Sequence, residues 1–222
     1  MNSARFTDHP LYKSDRALTI VTEALLASGH TVFQIFQWPG GEARHSDQLL
    51  TMADPKEEAR TVLSLGCGVG GMEAYWKASR PELEFELVNI AKPQLDRCVC
   101  DGRCVLDNAE TYQSPWGPFD LVLVCYLLGH VDPLMTLCSA LVNTDAGGTL
   151  LVYDVFDGSE QFCETWFYNT PTLRELERFG VDNNLRFQTV YEGGIPFGDY
   201  FAESGLWTAV DATPALFVFK KP

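Results

Sequence analysis

The sequence predicts an α/β fold: a doubly wound, mostly parallel seven-stranded sheet that ends in an antiparallel pair of strands. Three observations carry this reading. From Pro55 onward, short apolar runs alternate with amphipathic stretches, the pattern of parallel strands joined by crossover helices. The first run, Thr61-Val62-Leu63-Ser64-Leu65, passes straight into Gly66-Cys67-Gly68-Val69-Gly70-Gly71, four glycines within six residues. Such a turn after a buried strand lets backbone come close to a nucleotide-sized ligand. The chain then closes with two strands that have no helix between them, and these pair antiparallel.

The elements run in order from the N-terminal end. Ser14 caps a helix whose apolar residues Ala17, Ile20, Val21, Ala24 and Leu25 recur at helical spacing, and Gly29 ends it. Thr31 to Trp38 is apolar and aromatic, and Pro39-Gly40-Gly41 breaks it. From there to Pro55 the chain reads as polar and irregular, a connection long enough for a functional lid or a surface linker. Residues 1–57 are therefore set apart as an N-terminal helical and lid region, and 58–222 as the domain proper. Strands are predicted at Thr61–Leu65, Phe85–Ile90, Arg103–Leu106, Phe119–Val124 and Thr149–Val155, with helices near Gly71–Ser79, Pro93–Cys100 and Pro133–Val142. Ligands of such sheets bind beyond the carboxyl ends of the strands at the switch point, where the glycines lie. Thr170 as cap and Pro171 in the first turn start a further helix, with Leu173, Leu176 and Phe179 on one face and Gly180 at its end. The final strands are Leu185–Tyr191 and Ala215–Phe219, separated by more than twenty residues rich in Gly, Phe, Tyr and Trp.

Composition excludes several classes of function. The 222 residues are 46% hydrophobic and 12% aromatic, enough for one sizeable core. A formal charge of −14 repels polyphosphate backbones and argues against a nucleic-acid substrate. The opening residues hold no apolar run suited to a signal peptide, and no stretch is apolar enough for a membrane helix, so the expectation is a soluble cytoplasmic protein. Of seven cysteines, Cys67, Cys125 and Cys138 sit in apolar segments, as reduced cysteine does. Cys98, Cys100 and Cys104 are close enough to suggest a metal, but their spacing matches no common ligand pattern and no fourth ligand is near, so no metal is assigned.

The glycine turn fits the dinucleotide fingerprint through Gly66, Gly68 and Gly71, but the next strand ends in Asn89 rather than the acid that a nicotinamide cofactor's ribose asks for. Together with four later segments, the turn makes the chain resemble the class I S-adenosylmethionine-dependent methyltransferases. Val62 to Gly70 resembles that family's first motif, Leu87-Val88-Asn89-Ile90-Ala91-Lys92-Pro93-Gln94-Leu95 the second, Leu106-Asp107-Asn108-Ala109-Glu110 the acidic turn beside the adenine, Phe119 to Cys125 the fourth strand, and Gly147 to Leu151 the fifth. The resemblance spans about residues 58–222. It implies S-adenosylmethionine as cofactor, with Gly66, Gly68 and Gly70 at its amino-acid end, Asn89, accompanied by Gln94, at the ribose, Asp107 at the adenine amino group, and Cys67, Ile90, Asn108, Ala109 and Cys125 as further cofactor contacts. Two positions depart from the pattern: Ser64 stands where the first motif usually has an acid, and Asn89 where the second does. Fewer carboxylates imply weaker polar anchoring.

The reaction implied is attack on a sulfonium methyl by an oxygen, nitrogen or carbon nucleophile of a small molecule. The methyl is already activated, so the protein aligns the nucleophile, excludes water and, where needed, removes a proton. His130, after the fourth strand, is the candidate base, or else fixes its loop by hydrogen bonding. Tyr126 either lines the methyl site or packs in the core. After the fifth strand, Asp154, Asp157, Glu164, Trp166 and Tyr168 include carboxylates suited to orienting an amine. The aromatics here, with Phe197, Tyr200, Phe201 and Trp207, suit an apolar, planar or cationic acceptor. Gln37 and Trp38, in the N-terminal region, take a lid role by resemblance, or form a homodimer contact. A nucleic-acid methyltransferase is disfavoured by charge and by the lack of an Asn/Asp-Pro-Pro-aromatic signature or a Pro-Cys nucleophile. A scaffold protein that binds the cofactor, or an enzyme of another reaction such as a cyclisation, is the alternative reading.

Overall fold

The apolar run of β1 (Thr61–Leu65) is buried along all but its first residue, which fits a strand covered on both faces. In the computed structural model, which describes residues 14–31, 41–53, 55, 58–166, 168–191 and 212–222, the other strands are laid out from it. β2 (Glu84–Asn89) pairs parallel on one side, Leu63 opposite Glu86, and β4 (Phe119–Cys125) on the other, Leu63 opposite Val122. β3 (Arg103–Leu106) extends the sheet beyond β2 and β5 (Thr144–Phe156) beyond β4, both parallel. β7 (Thr213–Lys220) then runs antiparallel between β5 and β6 (Arg186–Tyr191). The resulting order is β3-β2-β1-β4-β5-β7-β6, with the switch point between β1 and β4.

Alternation along the strands divides the core into two layers. On one face Val62, Leu121, Leu123, Leu151, Tyr153 and Leu216 meet α2 (Gly41–Ala53) and α3 (Gly71–Ser79) through Leu49, Ala53, Met72 and Trp76. On the other, Leu63, Leu65, Val122, Val124, Val152 and Phe217 meet α5 (Pro133–Asn143) and α7 (Leu173–Asp182) through Leu137, Ala140, Leu176 and Phe179. At the lower edge the Asp120 carboxylate accepts from the backbone N–H groups of Arg60 and Thr61 and from the Thr61 hydroxyl, each at 2.9 Å, which ties the entry of β1 to β4.

α1 (Asp15–Ala27) begins at the Ser14 cap that the sequence predicts. Residues 41–53, by contrast, form the helix α2 and not an irregular segment. Its buried residues Glu42, His45, Ser46, Leu49 and Ala53 have helical spacing, but three of them are polar, which hides the stripe from a hydrophobicity reading. Each is compensated: the Glu42 carboxylate accepts from the Thr31 N–H and hydroxyl, His45 faces the Tyr126 hydroxyl, and the Ser46 hydroxyl donates to the Glu42 carbonyl at 2.8 Å, while Trp76 Nε1 donates to the Ser46 carbonyl at 2.6 Å. α4 is only Lys92–Leu95, shorter than expected, because Val99 turns away to donate its N–H to Val69 in the glycine turn. α7 starts two residues later than predicted. Thr172, not Thr170, is the cap, forming a capping box with Glu175, while the Thr170 hydroxyl accepts from the Gly158 N–H. It also continues past Gly180, whose missing Cβ lets the helix lie against Phe187 and Phe219. α6 (Glu160–Trp166) follows β5.

Candidate functional site

The glycine turn stands at the carboxyl edge of β1. Gly66, Gly68 and Gly70 all have positive φ, at +76°, +60° and +72°, and the last is the residue preceding α3. That backbone favours glycine. Space makes the same demand: a Cβ on Gly66 would lie 2.8 Å from Leu127 Cδ1, and one on Gly70 2.8 Å from Cys98 Sγ. The turn is pinned by the N–H groups of Gly66 and Cys67, which both donate to the Val88 carbonyl of β2.

Above the turn is a cavity of about 110 Å³. Of the predicted cofactor residues, Gly66, Cys67, Gly68, Asn89, Gln94 and Cys125 line it, together with Tyr126 and His130. Gly70, Ile90, Asp107, Asn108 and Ala109 do not. Gly70 backs onto Cys98, and Ile90 is about half exposed at the sheet edge. Asp107 is exposed at the end of β3, where one carboxylate oxygen accepts from the Asn108 N–H at 2.7 Å. The volume is well below the few hundred Å³ of a typical ligand pocket. It therefore matches one end of a cofactor, and the Asp107 turn lies outside the enclosed part.

The Asn89 side chain braces the turn. Its Nδ2 donates to the Gly68 carbonyl at 3.1 Å and to Gln94 Oε1 at 2.9 Å, and its Oδ1 accepts from the Ala91 N–H. An ionised acid at this position could not donate to Gly68 or Gln94, which is a local reason for asparagine.

Tyr126, directly after β4, has φ +53°, rare for a bulky residue, and its N–H donates to the Tyr153 carbonyl of β5. Its hydroxyl is 3.3 Å from His45 Nε2, and burial lowers the His45 pKa to about 3, so that imidazole is neutral and can accept. His130 ends the 3-10 turn Leu128–His130, with its ring edge-on to Tyr168 at 4.7 Å. The turn hangs on Asp154 at the end of β5. One carboxylate oxygen accepts from the N–H groups of Leu127 and Leu128 at 3.0 and 2.9 Å, and the other accepts the Tyr168 hydroxyl. Fully buried, Asp154 has its pKa raised to about 6 by loss of solvation. Asp154 and Tyr168 thus support His130 from behind and do not line the cavity.

Six further residues line the cavity without having been predicted at the site, and three of them carry polar side chains. Ser64, Thr31 and Glu73 all line it, and the Ser64 hydroxyl donates to Glu73 Oε1 at 2.5 Å. Glu73 is 2% exposed, and burial raises its pKa to about 7. A signal for it exists in the chain: Glu73 lies three residues before the buried Trp76, on the same helix face, so spacing alone could have pointed to an acid inside. Cys67 approaches the Cys98/Cys100 segment across the turn, and burial pushes all three thiols up; all seven cysteines are free. Among the described residues no group of His, Cys, Asp or Glu is arranged to hold a metal ion.

Asp157 and Glu164 are exposed, Asp157 accepting weakly from the Leu173 N–H. Trp166 is the last residue of α6. Gln37, Trp38, Phe197, Tyr200, Phe201 and Trp207 lie outside the described residues. Among the described residues no helix is long and apolar enough to cross a membrane.

No protein-family model matches the sequence, and neither does any curated protein sequence. Solved structures do match. A phosphoethanolamine N-methyltransferase of Haemonchus contortus, bound to phosphomonomethylethanolamine and S-adenosylhomocysteine, superposes on all of the chain with a TM-score of 0.74 at 18% identity. The geranyl diphosphate C-methyltransferase of Streptomyces coelicolor A3(2) superposes on 80% of it, and on 78% of its own chain, with a TM-score of 0.68 at 18% identity. The fold is that of the class I S-adenosylmethionine-dependent methyltransferases. The expectation of this fold, a mostly parallel seven-stranded sheet with a C-terminal antiparallel pair, therefore holds. The class I fold also hosts other chemistry: the [4+2]-cyclase SpnF matches over 94% of this chain and 96% of its own, with a TM-score of 0.68 at 13% identity. The chain spans about three fifths of the length of the Haemonchus enzyme.

Proposed function

We propose that the protein is an S-adenosylmethionine-dependent methyltransferase acting on an oxygen, nitrogen or carbon nucleophile of a small molecule. The observation that carries this reading is the cavity between the left-handed glycine turn and the Tyr126–His130 segment, at the switch point of a class I sheet. The residues fit the cofactor. Gly66 and Gly68 line the backbone cradle and Gly70 lets the turn close against Cys98; Cys67, Gln94 and Cys125 line the cradle's walls, and Asp107, with Ile90, Asn108 and Ala109, is assigned to the nucleoside. When bound, the cofactor supplies an electrophilic methyl. The chain's own residues align the acceptor, keep water out and take up a proton. His130 is assigned the proton-accepting role and Tyr126 the lining of the methyl site, its hydroxyl oriented toward neutral His45.

Residues 1–57 are assigned to closing the site and 58–222 to holding the cofactor, supported by Thr31 in the cavity wall. Trp38, Gln37, Trp166, Tyr168, Phe197 and Tyr200 remain acceptor-side candidates, and a homodimer and a cytoplasmic location belong to the same reading. A second reading, an enzyme that holds the cofactor without spending it, is favoured by the likeness to the cyclase.

Calorimetry with S-adenosylmethionine and S-adenosylhomocysteine tests both readings at their common root. Binding of both is expected, and no heat at high micromolar ligand would reject them together. Gly68→Arg, which fills the cradle, is expected to abolish binding; retained affinity would mean the site lies elsewhere. Acceptor-dependent release of S-adenosylhomocysteine separates methyl transfer from the second reading.

A further inference from the structure

Glu73 is sealed into the wall of the cavity. It is 2% exposed, and its carboxyl is held by the Ser64 hydroxyl and by its own backbone N–H, both neutral donors. No lysine or arginine is among the described residues lining the cavity. The titratable groups around the carboxyl are the thiols of Cys67 in the turn, Cys98 and Cys100 after α4, and Cys125 at the end of β4, with the His130 ring on the same cavity. Burial pushes those thiols up, so they stay neutral near pH 7 and offer no charge. A carboxyl in such a wall is costly to ionise, and the group that best repays ionisation is a cation delivered from outside. The Thr31 and Ser64 hydroxyls on the same wall suit a small polar, charged group.

We propose that Glu73 binds the primary ammonium group at the amino-acid end of the bound cofactor, with Ser64 orienting its carboxyl. The assignment rests on the S-adenosylmethionine reading and deepens it. The strand supplies a hydroxyl at position 64, and the helix nine residues on supplies the carboxylate. A charge-assisted contact in this water-poor wall is stronger than the same contact at the surface.

Calorimetry of the full chain with two probes tests it: S-adenosylhomocysteine, which carries the amino-acid end, and 5′-methylthioadenosine, which lacks it. Glu73→Gln is expected to lose about ten- to hundredfold in affinity for the first probe and to leave the second unchanged. The double variant Ser64→Asp/Glu73→Ser, which returns the carboxylate to the strand, is expected to recover most of the loss. Binding of S-adenosylhomocysteine at about pH 6.5 is expected to release protons from the wild type and fewer from Glu73→Gln, read from the dependence of the heat on the buffer. Unchanged affinity of Glu73→Gln for S-adenosylhomocysteine overturns the assignment while leaving the cofactor reading intact. An equal loss for both probes, or a double variant no better than Glu73→Gln, traces the effect to packing and overturns it as well. A wild type that binds neither probe removes the cofactor reading and the assignment together.

Discussion

Burial raises the Glu73 carboxyl from its ordinary 4.5 to about 7, and that single residue links the site to the stability of the empty protein. An unfolded glutamate ionises near 4.5 while the native one stays protonated until about pH 7, so the native state holds more protons in between. Stability contributed by this group is therefore lost as pH rises from about 4.5 to 7, by about 3 kcal/mol in all. Relative to wild type, Glu73→Gln is expected to gain about that amount over the same window in urea unfolding without ligand. A difference that stays flat with pH would show that Glu73 is not held protonated. His130 works differently, being carried by a turn that Asp154 and Tyr168 hold in place. With the true acceptor, His130→Ala is expected to lower turnover by about a hundredfold, with cofactor affinity nearly unchanged. Unaltered turnover would leave His130 only a loop-fixing role.

At the scale of elements, α2 is the most informative. Leu49 and Ala53 are fully buried against Trp76 of α3, in the same cluster as Val62 and Leu121 of the sheet. The helix belongs to the core even though it lies within the segment assigned to closing the site. Leu49→Ala is expected to cost about 2–5 kcal/mol in chemical unfolding, the range for a well-packed core leucine. A cost under about 1 kcal/mol would mean that α2 is loosely docked. The sequence conceals this helix because Glu42, His45 and Ser46 occupy its inner face, Glu42 and His45 satisfied by Thr31 and Tyr126 and Ser46 by the Glu42 carbonyl one turn back. α7 shows a smaller version of the same problem. Thr170-Pro171 reads as a helix start, but the capping box with Glu175 belongs to Thr172, and Thr170 serves the backbone of Gly158 instead.

For the whole molecule, the apolar strands carry the glycine turn to the switch point between β1 and β4, where both core layers meet and the proposed site lies. A ligand that binds only the folded chain stabilises it by mass action, about 2.7 kcal/mol at a concentration one hundred times its Kd. In a chain of this size that corresponds to a rise in melting temperature of about 5–10 °C with saturating S-adenosylhomocysteine. No shift alongside measured binding would mean that the unfolded chain binds the ligand as well. The charge of −14 works against polyanionic ligands at long range.

By itself the sequence determined the sheet, its antiparallel close and the position of the glycine turn, because strand alternation, glycine spacing and turn chemistry are local properties of the chain. It also contained the departure at Ser64, though not its meaning. Only the tertiary structure decided that Asn89 braces the turn, that Asp154 holds the His130 segment from behind, and that Glu73 brings a carboxylate to Ser64. Those relations join residues on different elements, and packing alone sets which polar side chains are buried together and which find a partner.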